Sequence, residues 1–363
     1  MSSPRFSVFF ELFLQPDSLN ADSLAKLNWT EIVSIGRQLS LLARLYFELN
    51  KRDLWSAVPA NAQVHLQSAW IQAEKQRVSL IWEAQNLSRV LQPSCRAVIL
   101  KGAAYAVKGL ENSFGRFVSD IDILVAKEQL KTAEFELFVD GWLQVSHDKY
   151  DDYYYRQWMH ELPPLHHNVR QTTLDLHHNI LPIIARHKID PSPILEAASV
   201  VNGVLVPCNE DLLLHCATHL FHEGDFNKIF RDLLDTKDLF MLVVQQSDSG
   251  LDKLLARSSQ LGLQKEMALA LFFLNKTCGL NISETAQHFI RKHLSGKAGL
   301  SLLSWCYTKV FLSSSYLDSS FAYRLAARLL FVRSHLLKMP VHILLPHLVW
   351  KMWKSVIKSR ANK

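Results

Sequence analysis

The sequence predicts an α+β fold in which a small mixed β-sheet core is flanked by N- and C-terminal helical regions. Three observations predict it. Apolar residues recur at helical spacing before residue 96, short β-prone runs alternate with helical segments from 96 to 206, and helical patterning returns after 207. The 363 residues can hold more than one domain, and we divide them into 1–95, 96–206 and 207–363.

The composition is that of a packed globular protein, with 48% hydrophobic and 20% charged residues. The five cysteines are scattered and form no Cys-x-x-Cys pair, which argues against a disulfide framework and favours a reducing compartment. The N-terminus lacks the features of a signal peptide, and no apolar run reaches the length of a transmembrane segment. We therefore expect a cytoplasmic protein without a transmembrane segment.

The first 95 residues carry two apolar stripes at the spacing of an amphipathic helix. The members of these stripes are Ile32, Ile35, Leu39, Leu42 and Leu45, followed by Leu66, Trp70, Val78, Ile81 and Leu87. We interpret this region as a helical layer that packs against the central region.

The central region begins with a β-prone run at 97–100 that ends at Lys101-Gly102, and an alanine-rich helix follows. A second strand is expected at 121–125 and a helix at 127–139, before the turn Asp140-Gly141. Aromatic and β-branched residues then predict an antiparallel meander of four strands, at 142–146, 153–159, 165–169 and 172–178.

The C-terminal region is predicted to be mainly helical. A short strand at 204–206 precedes Pro207, and Asn209 is a plausible N-cap for a helix over 211–222. The remaining helices continue to residue 363, with prolines at 340 and 346 interrupting the last stretch.

Two carboxylates stand two residues apart in the segment Ser-Asp-Ile-Asp-Ile-Leu-Val, 119–125. In a strand, Asp120 and Asp122 share one face, while Ile121 and Ile123 alternate onto the other. Two carboxylates on one face repel each other unless a cation neutralises them, and Mg²⁺ prefers such oxygen ligands. A solvated strand edge is the alternative explanation.

A third carboxylate, Asp175, lies between Leu174 and Leu176 in the last predicted strand of the core, and His177 shares its face. Three carboxylates from two strands can hold two metal ions, one for the attacking oxygen and one for the leaving group. Asp120, Asp122 and Asp175 are therefore the predicted metal ligands and catalytic residues, with Mg²⁺ as the cofactor.

Residues before the acidic pair suit phosphate binding. Gly102 follows a strand and opens a helix, where free N–H groups and the helix dipole favour anions. Arg116 and Ser119 stand directly before Asp120 and suit a grip on phosphate oxygens.

The segments ILKGAAYAV, GRFVSDIDILV, HELPPL and LDLHHNI resemble the uncharacterised nucleotidyltransferase family of the polymerase-β-like superfamily. The resemblance implies an EC 2.7.7-type transfer of a nucleoside monophosphate from ATP or another NTP to an acceptor hydroxyl. Asp120 and Asp122 would then hold the metal ions, and Asp175 would help to deprotonate the acceptor. Lys101, Gly102, Arg116 and Ser119 would form the nucleotide-binding shell. The acceptor, whether RNA, protein or small molecule, stays open.

The sixteen histidines raise the question of zinc. His-Glu-x-x-His is absent and no fixed third ligand is evident, so the sequence does not favour a zinc site. His177 is the better functional candidate, as a group near the acceptor or the leaving phosphate. Arg231 is a further candidate for acceptor or phosphate binding, although an ordinary i, i+4 pair with Asp235 explains it equally well.

The C-terminal tail carries the positive charge of the chain. Residues 319–363 contain nine Lys/Arg and no Asp or Glu, whereas residues 1–318 hold 31 basic and 34 acidic side chains. Trp, Leu and Ile alternate with Lys at helical spacing near the end, as in basic helices that contact anionic membranes or nucleic acid. Peripheral membrane contact, RNA contact and simple packing all stay open, as does a catalytically inactive nucleotide-binding protein.

Overall fold

The N-terminal region is helical, as predicted. The structure, a computed structural model, describes residues 4–14, 19–145, 148–294, 296–313, 318 and 320–361. The first helices are α1 (Pro4–Leu14), α2 (Ala21–Ala25), α3 (Trp29–Gln38), α4 (Leu42–Lys51) and α5 (Ala60–Leu91). The first apolar stripe is buried throughout, but Val78 of the second stripe is 60% exposed. Val78 therefore faces a groove rather than the core.

The central region contains a five-stranded mixed sheet, which confirms the predicted α+β class. Its elements are β1 (Val98–Ile99), α6 (Lys101–Val107), β2 (Ile121–Leu124), α7 (Leu130–Val139), β3 (Trp142–Gln144), α8 (Lys149–Trp158), β4 (Leu165–His167) and β5 (Thr173–His177). The strand order is β1-β2-β5-β4-β3, and only the central pair, β2 and β5, is parallel. The mixed order places the two strands that carry aspartates side by side.

The predicted strand at 153–159 is wrong, because this segment belongs to helix α8. The Asp148 side chain accepts hydrogen bonds from the backbone N–H groups of Tyr150 and Asp151, at 3.0 and 3.2 Å, and caps the helix. Arg156 then pairs with Asp152 one turn away, at 2.8 Å. Aromatic residues are compatible with a strand or a helix, and the Asp148 cap stabilises the helix. The strand predicted at 165–169 ends at His167, and residue 146 of another predicted strand lies outside the described residues.

A two-stranded sheet follows, and the strand predicted at 204–206 is confirmed. The elements of this part are α9 (Ser192–Ala197), β6 (Ser199–Val201) and β7 (Val204–Val206). Strand β6 was not predicted. Asn202 and Gly203 between the two strands have φ of 52° and 80°, as the central residues of a tight hairpin turn require. This Asn-Gly pair is the signal that predicts a hairpin.

The C-terminal region consists of helices α10 (Asn209–His222), α11 (Ile229–Gln245), α12 (Gly250–Gln260), α13 (Gln264–Lys276), α14 (Glu284–His293), α15 (Lys297–Phe311), α16 (Phe321–Lys338) and α17 (Val341–Ala361). Asn209 is the first helical residue of α10 and Cys208 is its cap position, so the predicted cap is wrong by one residue. One apolar core runs from Phe9 to Leu330. The division into 1–95, 96–206 and 207–363 stays a prediction.

Among the described residues, no single helix combines the length and apolarity needed to cross a membrane. Only Phe321–Lys338 and Val341–Trp353 taken together reach that apolar length, and they are bent by 117° relative to each other.

Candidate active site

Three aspartates lie at the centre of the mixed sheet. Asp122 of β2 and Asp175 of β5 are register partners in the parallel pair, so their side chains project on the same face. Asp120 directly precedes β2. Asp122 is 3% exposed, which excludes the solvated strand edge as an explanation for this carboxylate.

Asp122 is held by two basic groups. Its Oδ1 atom lies 2.6 Å from Lys101 Nζ and 3.0 Å from His177 Nε2. Burial raises the pKa of Asp122, but the Lys101 ammonium and the His177 hydrogen bond outweigh burial and hold this pKa well below its usual range. Asp122 is therefore a permanent anion, and Lys101 occupies the position of a neutralising cation.

Asp175 has the opposite electrostatics. Burial, followed by the charges of Glu161 and Asp122, raises the pKa of Asp175 to about 7. Its Oδ1 atom is buried and accepts no hydrogen bond from any residue that the structure describes. A buried carboxylate oxygen without a donor fits a metal ligand or a proton acceptor, because either would satisfy that oxygen.

Glu161 is a site residue that the sequence reasoning missed. It forms an isolated antiparallel bridge with His177, and its Oε2 atom lies 3.4 Å from His177 Nδ1. Leu162 N–H also donates to Leu176 O, at 2.9 Å, which extends the pairing along β5. Two prolines follow Leu162, and a Pro-Pro extended segment was the available signal for this position.

The turn before α6 depends on a different residue from the one that the sequence predicted. Lys101, not Gly102, has the left-handed backbone, with φ of 45°. A Cβ on Gly102 would lie 2.8 Å from Val118 Cγ2 and 2.9 Å from Arg116 Nη1. Gly102 therefore allows the close approach of the arginine to the start of α6. Whether phosphate oxygens also approach there stays a prediction.

The predicted phosphate-binding groups are distributed around this turn. The Arg116 side chain is 11% exposed and pairs with buried Asp235 of α11, with Nε 2.9 Å from Oδ2. Ser119 is exposed and donates to Asp120 Oδ1 at 2.8 Å. The predicted pair between Arg231 and Asp235 is wrong, because Arg116 occupies Asp235 and Arg231 instead contacts Asp232 at 2.8 Å. The contact of Arg116, in the loop before β2, with Asp235 therefore replaces the pair predicted within helix α11.

Two cavities meet at Ser119 and Asp120. One has a volume of about 360 Å³ and contains Asp120 and Asp122 in its wall. Its other charged lining residues are Asp225, Asp232 and Asp235, on α11 or in the loop before it, and the basic residues Lys101, Arg116, Lys228 and Arg231. The other, of about 680 Å³, lies between α5 and the sheet and is lined by Val78, Trp82, Arg170 and Thr173. A polar, charge-rich cavity and a partly apolar groove thus share one carboxylate.

Metal-binding capacity resides in two overlapping groups of side chains. Ligand atoms of Asp122, Asp175 and His177 all lie within 4.8 Å of one another, and the same holds for His160, Glu161 and His177. The first group supplies the carboxylate oxygens that Mg²⁺ prefers. Together with the unpartnered oxygen of Asp175, this donor set fits a divalent cation.

A family model described as "Uncharacterised nucleotidyltransferase" matches residues 25–279. The matched range contains the whole mixed sheet, both cavities and every predicted site residue. No curated protein matches the sequence significantly. The family model covers well over half of the chain, and the protein belongs to this nucleotidyltransferase family.

Proposed function

Since the chain belongs to a nucleotidyltransferase family, we propose that it transfers a nucleoside monophosphate from an NTP to an acceptor hydroxyl with Mg²⁺ as cofactor. The observation that carries this proposal is the register pairing of Asp122 with Asp175 on parallel strands, with Asp120 one residue before β2. This arrangement brings carboxylates from two strands to one face of the sheet, as two-metal transfer chemistry needs.

The reaction forms one bond and breaks another. The acceptor oxygen attacks the α-phosphorus, the bond from the α-phosphorus to the bridging oxygen breaks, and pyrophosphate leaves with that oxygen. When bound, the divalent cation supplies charge neutralisation for the phosphates and lowers the pKa of the attacking hydroxyl. Asp175, whose Oδ1 atom is buried without a hydrogen-bond donor among the described residues, would accept the hydroxyl proton.

The basic groups bind and orient the triphosphate. Lys101, which pairs with Asp122 in this structure, would be available to bind a phosphate oxygen when a cation neutralises that carboxylate. Lys228 and Arg231 line the same cavity and attract the β- and γ-phosphates. Arg116 acts through Asp235 and keeps α11 against the start of α6, so it is a positioning residue.

The acceptor lies in the groove on the other side of Asp120. Trp82 is 52% exposed there, which leaves an indole face for a planar or apolar part of the acceptor. Buried Glu83 fixes Arg170 beside it, with Oε1 3.0 Å from Nε. This placement puts the acceptor and the triphosphate on opposite sides of the metal ligands.

The test is Mg²⁺-dependent incorporation of label from each of the four NTPs into a cell extract. We expect a labelled product with the wild type and none with Asp120→Asn/Asp122→Asn. An exposed position on β4, His166→Gln, is the matched control and should retain activity. Metal-dependent NTP binding without any labelled product would instead indicate the inactive nucleotide-binding protein.

A second candidate function, peripheral membrane contact, is favoured by the surface of α17. This helix contacts α8 through His347, which lies 2.9 Å from the Tyr150 hydroxyl, and through Lys351, 2.8 Å from Asp151. Large apolar side chains remain exposed on it, namely Leu345, Leu348, Val349, Trp350, Met352 and Trp353. Exposed tryptophans in a segment without acidic residues suit the interface of an anionic membrane.

Sedimentation with lipid vesicles tests the membrane contact. The full chain should bind phosphatidylglycerol vesicles at low salt, and Trp350→Ser/Trp353→Ser should weaken this binding. Phosphatidylcholine vesicles are the control for charge. Equal sedimentation of the variant and the wild type, or retention by RNA but not by vesicles, would contradict the membrane contact.

A further inference from the structure

His160, Glu161 and His177 form a compact group beside the aspartates. Backbone hydrogen bonds fix their relative position, because His178 N–H donates to His160 O at 2.8 Å, and Leu162 N–H donates to Leu176 O at 2.9 Å. The group therefore lies on two paired segments rather than on a free loop.

Two distances within this group are close to those between the ligands of one metal ion, and the ligand atoms of all three residues lie within 4.8 Å of one another. Glu161 Oε2 lies 3.4 Å from His177 Nδ1 and 3.7 Å from His160 Nε2. Around a tetrahedral ion with bonds of about 2.0–2.2 Å, neighbouring ligand atoms are separated by about 3.3–3.6 Å. An ion can therefore be bound with little movement of the three side chains.

The hydrogen bonding of His177 leaves a lone pair facing this point. Its Nε2 atom donates to the Asp122 carboxylate, which can only accept, so in the neutral ring Nδ1 carries the lone pair. His177 is 1% exposed, and among the described residues Nδ1 has no hydrogen-bond partner. A lone pair buried against the Glu161 carboxylate is unfavourable, and either a proton on Nδ1 or a metal ion between the two groups would relieve it. A histidine that binds a metal ion through one ring nitrogen usually donates a hydrogen bond from the other to a carboxylate, as His177 does to Asp122.

The surrounding charge also favours a cation. Four carboxylates converge here, those of Asp120, Asp122, Glu161 and Asp175, whereas the nearby ammonium groups are those of Lys101 and Lys338. The His160 side chain is only 17% exposed, and its Nδ1 atom is buried without a hydrogen-bond partner among the described residues.

We propose that His160, Glu161 and His177 bind a transition-metal ion of the zinc class, at a site that shares His177 with the Asp122–Asp175 group. Two imidazoles and one carboxylate suit Zn²⁺, Co²⁺ or Fe²⁺, whereas Mg²⁺ prefers oxygen ligands alone. The site stands on the geometry of these three residues and does not depend on nucleotidyl transfer. A proton on His177 Nδ1 is the rival occupant.

The experiment titrates the chelator-treated full chain with Co²⁺, in the presence of excess Mg²⁺ to fill the carboxylate site. We expect one Co²⁺ per chain with the visible absorption of a tetrahedral ion, and displacement of this ion by Zn²⁺. His160→Gln and Glu161→Gln should each weaken Co²⁺ binding by at least about tenfold. His166→Gln, the exposed control on β4, should bind Co²⁺ as the wild type does.

Two results would overturn the site. Co²⁺ binding that His160→Gln leaves unchanged, or that Mg²⁺ abolishes, would place the ion on the aspartates. Absence of Co²⁺ binding together with a doubly protonated His177 ring in NMR spectra would make the proton the occupant. Circular dichroism of each variant separates lost binding from lost folding, and Glu161→Gln provides the second variant if His160→Gln does not fold.

Discussion

Replacing Asp175 with asparagine should stabilise the metal-free protein at alkaline pH while it abolishes nucleotidyl transfer. Burial and the neighbouring carboxylates raise the pKa of Asp175 from 3.8 to about 7. Between these values the folded chain binds a proton that the unfolded chain has released. The free energy of unfolding therefore falls as pH rises from about 4 to about 7, and the deficit remains at higher pH.

The size of this effect follows from the pKa difference. About three pKa units at about 1.4 kcal/mol each limit the contribution to roughly 4 kcal/mol. Asparagine has nearly the shape of the protonated acid and carries no charge. The variant should therefore be more stable than the wild type by roughly 1.5 kcal/mol near pH 5 and by up to about 4 kcal/mol near pH 8.5, which corresponds to several degrees in Tm.

The assay is thermal unfolding of both proteins with chelator at the two pH values, and again with Mg²⁺ at the higher pH. With Mg²⁺ the wild type should recover, because binding to the folded state offsets the charge repulsion. Asp252→Asn, an exposed position on α12, is the control and should behave alike at both pH values. A lower Tm for the Asp175 variant at the higher pH, in the absence of metal, would refute the electrostatic argument.

The remaining predictions concern the metal and the turn at α6. Mg²⁺ affinity in calorimetry should rise with pH through about 7, with proton release on binding, because the metal needs ionised Asp175; a pH-independent affinity would contradict its role as a ligand. Gly102→Ala should cost about 1–3 kcal/mol in denaturant unfolding, since its Cβ would clash with Val118 and Arg116. Gly299→Ala in helix α15 is its control, because nothing lies within 4 Å of a Cβ there and its backbone is not left-handed, and an equal cost in both would exclude the clash. Asp235→Asn should cost about 3–5 kcal/mol in the same unfolding assay by leaving Arg116 buried and unpaired, and a loss below about 1 kcal/mol would contradict a buried pair.

The residue pattern predicted the central strands because their signals are local. Alternation in the segment around Asp120 and Asp122 depends only on neighbouring residues, and β2 and β5 are found within one residue of their predicted positions. The segment at 153–159 was predicted wrongly for the same reason, since its aromatic residues satisfy both a strand and a helix. The Asp148 cap and one turn of ion pairing decide between them.

The site required information that only folding supplies. Glu161 reaches His177 through a backbone bridge between segments 16 residues apart, and no local pattern encodes such a pairing. Arg116 is attracted both to phosphate and to any nearby carboxylate, and packing of α11 against the turn at 111–113 brings Asp235, 119 residues away, to Arg116. Long-range pairing and burial also set the electrostatics of the aspartates.

The sequence by itself determined the class of fold and the identity of the acidic residues, because strand alternation and residue chemistry are local properties. Tertiary structure decided the protonation state of each carboxylate. Asp122 and Asp175 are both aspartates and lie opposite each other in register. Lys101 and His177 keep Asp122 ionised, whereas burial beside Glu161 favours a proton on Asp175. The cause is the position of charges brought together across the sheet, which sequence spacing does not contain.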